Sequence, residues 1–135
     1  MKSKESLIRL KRFQVDEKRR RVSQIETMIA DFQRNIDDLE DQIQYEQEKS
    51  GISDPTHFAY PTFAKAAMVR RDNLKASQAE LGQQLETARD VLAGAYEELK
   101  KFEMLEERNE RITRDSVQKA EQDEMDEMAA RAATG

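Results

Sequence analysis

The chain has 135 residues, of which 38% are charged and 37% hydrophobic, with a formal net charge of −5 and no cysteine. A charge fraction far above the ~25% of an ordinary globular domain suits an elongated molecule with one apolar stripe and excludes a large globular core. The missing cysteines exclude a disulfide framework and a thiolate metal site, which fits a reducing compartment. No apolar run approaches the ~20 residues of a membrane span, and Met1 to Leu10 lacks a signal-peptide apolar region, so a cytosolic, soluble protein is expected.

The first predicted element is a helix from about 6 to 49. Ile8, Val15, Val22, Ile29, Ile36 and Ile43 recur at a strict interval of seven. From Ile25 on a second row joins, with Ile25, Phe32 and Leu39 three residues after Val22, Ile29 and Ile36. Alternating 3,4 spacing is the mark of a knobs-into-holes seam between helices.

A turn follows at 50–61. Gly51 lies just past the helical run, and both prolines, Pro55 and Pro61, fall in this segment. Glycine after a helix with proline shortly beyond is a stop signal. Pro61 is suited to the first turn of the next helix, which has no use for its missing N–H.

The second helix is predicted from about 62 to 131. Its stripe is Leu81, Leu85, Ala88, Leu92, Ala95, Leu99 and Phe102, extended backwards at seven-residue steps by Leu74 and Ala67. After Phe102, Leu105 and Ile112 stand one residue out of phase, so a local overwinding or an end to the pairing is expected there. Gly82 and Gly94 each cost roughly 1 kcal/mol relative to Ala inside this helix, as tolerated surface glycines or as built-in softness.

Charge separates a folded-back hairpin from a parallel dimer. Residues 1–21 carry nine Lys/Arg against three Asp/Glu (net +6), and residues 22–54 carry two against nine (net −7). Residues 65–89 carry five against three (net +2), and residues 97–128 carry six against twelve (net −6). Folding back sets plus against minus along both stretches, whereas a parallel in-register dimer sets +6 against +6. The expectation is therefore an all-α antiparallel coiled-coil hairpin, one domain over 1–135. The second helix is the longer, so residues beyond about Ile112 overhang without an intramolecular partner. Val117, Ala120, Met125 and Met128 fall in this tail.

No catalytic constellation is visible. His57 is the single histidine, so neither a Cys–His pair nor a multi-histidine metal site forms within one chain, and as a loop residue it is expected to be exposed. Asp37, Asp38, Glu40 and Asp41 diverge around a helix and make a poor calcium site. No enzyme, cofactor, metal or small-molecule substrate is expected. Lys11 and Arg12, with the run Lys18-Arg19-Arg20-Arg21, have three readings: pairing with the acidic second helix, an acidic protein partner, or nucleic acid. The overall negative charge opposes the last, and nucleic acid is not expected.

Four segments resemble a known family, in this order: Ile43-Gln-Tyr-Glu-Gln-Glu48 before the turn, Tyr60-Pro-Thr-Phe63 opening the second helix, Lys100-Lys-Phe-Glu-Met-Leu-Glu-Glu-Arg108, and Met125-Asp-Glu-Met-Ala-Ala-Arg-Ala-Ala133. They are similar to the FliJ/YscO family of type III export stalk proteins, flagellar and virulence-associated. The chain departs from some members in ending at Thr134-Gly135 without a basic tail.

The resemblance implies a coiled-coil stalk at the cytoplasmic side of the inner-membrane export apparatus, joined to it through protein contacts only. It implies as partners an export ATPase hexamer, the cytoplasmic domain of the export gate, and export chaperones. Two contact zones follow from the stalk analogy. The ATPase zone is Lys11, Arg12, Lys18, Arg19, Arg20 and Arg21, with Leu105, Ile112, Met125 and Met128 of the overhang. The gate zone is Tyr45, Phe58, Tyr60, Phe63 and Ala67, of which Tyr45, Phe63 and Ala67 match the family best. The competing reading of the second zone is that its rings only hold the turn shut. A generic coiled-coil scaffold and a prefoldin-like hairpin chaperone are the alternatives, although the 51–62 loop is too short for the β-hairpins of prefoldin.

Overall fold

The computed structural model describes residues 2–134; Met1 and Gly135, the two ends of the expected domain, lie outside them. Two helices, α1 (Lys2–Ser50) and α2 (Thr62–Thr134), account for almost all of it, and no strand occurs among the described residues. They pack against each other as an all-α helical hairpin. Each runs a few residues past its sequence-based bounds. Glu5 in the first turn of α1 complements the helix dipole, and Ala129, Ala130, Ala132 and Ala133 are strong helix formers at the end of α2.

The turn is built from local hydrogen bonds. Gly51 adopts φ 73°, a left-handed conformation open to glycine, and its N–H donates to the Gln47 carbonyl at 2.9 Å. Ser50 Oγ accepts the Ile52 N–H at 3.1 Å, and Asp54 Oδ1 accepts both the Thr56 N–H at 3.0 Å and its hydroxyl at 2.7 Å. The Pro61 carbonyl accepts the Lys65 N–H at 3.1 Å. Pro61 is thus the N-cap of α2, one position ahead of the first turn where the sequence suggested it.

By contacts the chain divides into two compact units, residues 16–93 and residues 1–15 with 94–135. In the unit spanning 16–93, α1 buries Val22, Ile25, Ile36, Leu39 and Ile43, and the other side supplies Tyr60, Ala64, Ala67 and Leu81. Fully buried Ile25 and Ile36 each contribute about 1.5–3 kcal/mol. Gln78 donates to Gln33 Oε1 at 2.9 Å and to the Ile29 carbonyl at 3.3 Å, and Lys75 lies 3.3 Å from Glu40. Rising numbers on α1 meet falling numbers on α2, so this pair is antiparallel.

In the unit formed by 1–15 and 94–135, Val15 and Leu99 are buried. Lys11 Nζ lies 3.0 Å from Glu98 and 5.5 Å from the centre of the Phe102 ring, and Arg12 lies 3.9 Å from Glu103. Basic α1 meets acidic α2, as the charge blocks require. Such exposed pairs contribute about 0–1 kcal/mol each and select orientation more than stability.

Two sequence expectations change. The second row of the α1 seam does not begin at Ile25: Lys11 and Lys18, two heptads and one heptad earlier, are already half-buried in that row. A lysine stem covers apolar surface while its ammonium reaches water, so an apolar count overlooks it. Nor does α2 slip after Phe102. Apart from Met68, its shielded positions alternate by three and four from Ala64 through Leu99, Phe102 and Glu106 to Asn109. The phase holds while the seam turns polar, and Leu105 and Ile112 fall outside it, 46% and 55% exposed. From Glu110 to Thr134 every residue of α2 is exposed.

Candidate docking surfaces

The basic segment of α1 divides by side-chain environment. Lys11 is committed to Glu98 and Phe102, and Arg12 reaches Glu103. Lys18 is half-buried and lines a shallow cleft with Arg21, Ile25, Glu80, Thr87 and Val91. Arg19 lies 3.8 Å from Asp16 on its own helix. Arg20 and Arg21 are exposed and take part in no ion pair among the described residues. Of the basic segment within 16–93, Arg20 and Arg21 are therefore open to an outside partner, and Arg19 is engaged only by its own helix. Lys11 and Arg12 are held by their own hairpin.

In the other unit, Leu105, Ile112, Met125 and Met128 are all exposed apolar side chains of α2. Past Asn109 every described residue of α2 is exposed, although Glu110, Ile112, Thr113 and Arg114 still border a cleft with Lys4 and Glu5. A helix without a tertiary partner rests on its own propensity and on local pairs such as Gln122 to Asp126 at 3.0 Å and Arg131 to Glu127 at 3.2 Å. It is available as a binding edge on all sides.

The aromatic zone also divides. Tyr60 is buried: its hydroxyl accepts from Gln47 Nε2 at 2.9 Å and donates to Met68 Sδ at 3.5 Å, tying the turn to both helices. Ala67 is buried with Leu39 and Ile43. Both side chains are thus buried against the two helices. Tyr45, Phe58 and Phe63 are exposed, Phe58 by 95%. Phe58 stacks on exposed His57 with ring centres 4.7 Å apart, and His57 Nδ1 accepts the Ala59 N–H at 3.0 Å. Bared aromatics on a polar surface are apt anchors for a partner.

The sequence reading passed over one further surface. Tyr96, Lys100, Lys101, Met104, Arg108 and Arg111 line an outward face of α2, with Lys100 Nζ 5.2 Å from the Tyr96 ring centre. The signal was the 3,4 recurrence of exposed Lys101, Met104, Arg108 and Arg111, each two residues after a seam residue, a pattern that hydrophobic spacing alone does not display. The chemistry of these surfaces is that of contact. Among the described residues no group of three or more His, Asp or Glu is gathered to hold a metal ion. Nor is any helix long and apolar enough to cross a membrane.

An all-α hairpin that offers helix faces and exposed rings belongs to the class of coiled-coil binding proteins. The family model described as Flagellar FliJ protein matches residues 1–135, and the chain belongs to that family. Neither the curated proteins nor the solved structures contain a match to it. Membership makes it a component of flagellar export, in a family of structural stalk proteins and not of enzymes.

Proposed function

We propose that the protein is the coiled-coil stalk of the flagellar export machine, binding the export ATPase hexamer and the export gate and assisting the handling of export chaperones. The observation that carries this reading is the stretch of α2 from Glu110 to Thr134, helical and exposed throughout, in a chain of the flagellar export family. A helix that long without an intramolecular partner is suited to one supplied by another protein. A thin asymmetric element also has a use in a hexamer that a further symmetric subunit lacks, because it biases the surrounding subunits unequally.

The ATPase contacts rest on Arg19, Arg20 and Arg21 within 16–93 and, separately, on Ile112, Met125 and Met128 within 94–135. Exposed cations steer and orient an acidic partner, and the apolar side chains supply burial. The gate contact rests on Tyr45, Phe58 and Phe63. Tyr60 and Ala67 act indirectly, by holding the turn that presents these rings. The protein works on the cytoplasmic side of the inner membrane through these protein contacts.

The test is a pair of variants assayed for binding and helicity together. Replacing Arg19, Arg20 and Arg21 with Glu weakens ATPase binding and stimulation while circular dichroism is unchanged. Unaltered stimulation removes the ATPase assignment. Tyr45→Ala with Phe63→Ala weakens gate binding at unchanged melting temperature; a lower melting temperature with binding intact returns these rings to a structural role.

A further inference from the structure

Two outward stripes stand clear of the seams, one of them sharing Tyr45 with the proposed gate contact. On α2, Glu97, Lys101, Met104, Arg108 and Arg111 recur at intervals of 4, 3, 4 and 3, each two residues after a seam residue. On α1, Arg34, Asp38, Asp41, Tyr45 and Glu48 recur at the same intervals and the same offset. All ten residues are exposed. Among the described residues, Arg34 alone of the ten makes an ion pair, with Asp31 on its own helix.

Set side by side in the same direction, the stripes match. Glu97 meets Arg34, Lys101 meets Asp38, Arg108 meets the Tyr45 ring and Arg111 meets Glu48, while at the centre Met104 faces Asp41 without a charge partner. The one acid of the basic stripe thus falls opposite the one base of the acidic stripe. Set in the reverse direction, Glu97 meets Glu48 and Arg111 meets Arg34, and both ends repel. Flanking charges select partner and direction in this way wherever helices pack laterally.

We propose that these stripes are a self-association surface: the basic stripe of one copy docks in parallel on the acidic stripe of a second copy. The contact is heterologous, so each copy keeps one stripe free and association continues beyond a dimer unless it closes. It goes beyond the stalk reading and also covers Tyr45, so an associated copy has that ring withdrawn from other partners.

The experiment is sedimentation of the full chain over a concentration series at about 20 mM and about 500 mM salt, where the screening length is roughly 20 Å and 4 Å. The expected weight-average mass climbs with concentration at low salt and stays at that of one 15.7 kDa chain at high salt. Lys101→Glu with Arg108→Glu and Arg111→Glu abolishes the climb, as does Asp38→Lys with Asp41→Lys and Glu48→Lys. Mixing the two triple variants restores association, because the two reversed stripes complement each other and so do the two native stripes. Circular dichroism of each variant matches the native chain, all six positions being exposed. A mass of one chain at every concentration in low salt overturns the proposal. So does association that survives in both variants, or a mixture that stays monomeric. Flotation with anionic vesicles, lost in the Lys101, Arg108, Arg111 variant without any self-association of the native chain, assigns the basic stripe to a membrane surface and overturns it as well.

Discussion

Replacing Glu106 with Leu tests whether the seam holds its phase past Phe102. Glu106 follows Leu85, Leu92 and Leu99 in one seam row. It lines a cleft of about 200 Å³ with Lys4, Leu7, Ile8, Phe102, Leu105 and Asn109. Its Oε2 is shielded from water and has no hydrogen-bond partner. Removing a buried unsatisfied polar atom is worth about 1–3 kcal/mol. A half-buried leucine adds about 1 kcal/mol, half of what full burial contributes. Helix propensity barely changes between Glu and Leu. The expected gain is therefore about 2 kcal/mol or more, read as a higher urea midpoint at unchanged slope and a melting temperature raised by about 7 °C. Leu105→Ala is the companion, and at 46% exposure it costs less than about 1 kcal/mol. If Glu106→Leu is neutral while Leu105→Ala costs more than about 2 kcal/mol, a cost typical of core truncation, the seam has slipped and the in-phase account is wrong.

Four further outcomes are expected. Gly82→Ala and Gly94→Ala each raise stability by about 1 kcal/mol in thermal melts, since a Cβ at either position meets nothing within 4 Å; a loss at either shows that softness there is needed. Gly51→Ala lowers it by about 1 kcal/mol, because φ 73° is strained for any residue with a Cβ. Ile36→Ala costs about 2–5 kcal/mol by the same melts, whereas Ile112→Ala, on the exposed stretch, changes stability by less than about 0.5 kcal/mol. The Asp54 carboxyl titrates below its ordinary value of 3.8, held down first by the Thr56 N–H, then by the Thr56 hydroxyl and nearby His57. A depressed folded-state value means that its contribution is present above the ordinary carboxylate range and fades as pH falls through the depressed value. Carbon-detected NMR titration shows this, and Thr56→Ala moves the value part of the way back, because the backbone N–H remains.

Where the sequence reading succeeded, one repeat carried it. The interval of seven from Ile8 to Ile43 needs a facing helix, and the charge blocks admit that helix only in reverse direction, as the Lys11–Glu98 and Lys75–Glu40 pairs show. Gly51 and Pro61 placed the reversal because backbone geometry is a local property. Where it fell short, it had equated seam with apolar. Lys11, Lys18, Glu106 and Asn109 occupy seam positions, and no hydrophobic pattern marks them. The aromatic zone was grouped by composition, yet Tyr60 points inward to Gln47 and Met68 while Phe58 lies bare.

The order of residues alone thus determined helix, reversal and direction of pairing, since these follow from periodicity, backbone freedom and blocks of charge that any reader of the chain can sum. Only the tertiary structure decided which cations of the basic segment are already held, which rings are exposed and which are buried, and where the seam runs polar. Those distinctions depend on what stands opposite each side chain across the coil, and a residue's neighbour in space is written nowhere in its neighbours along the chain.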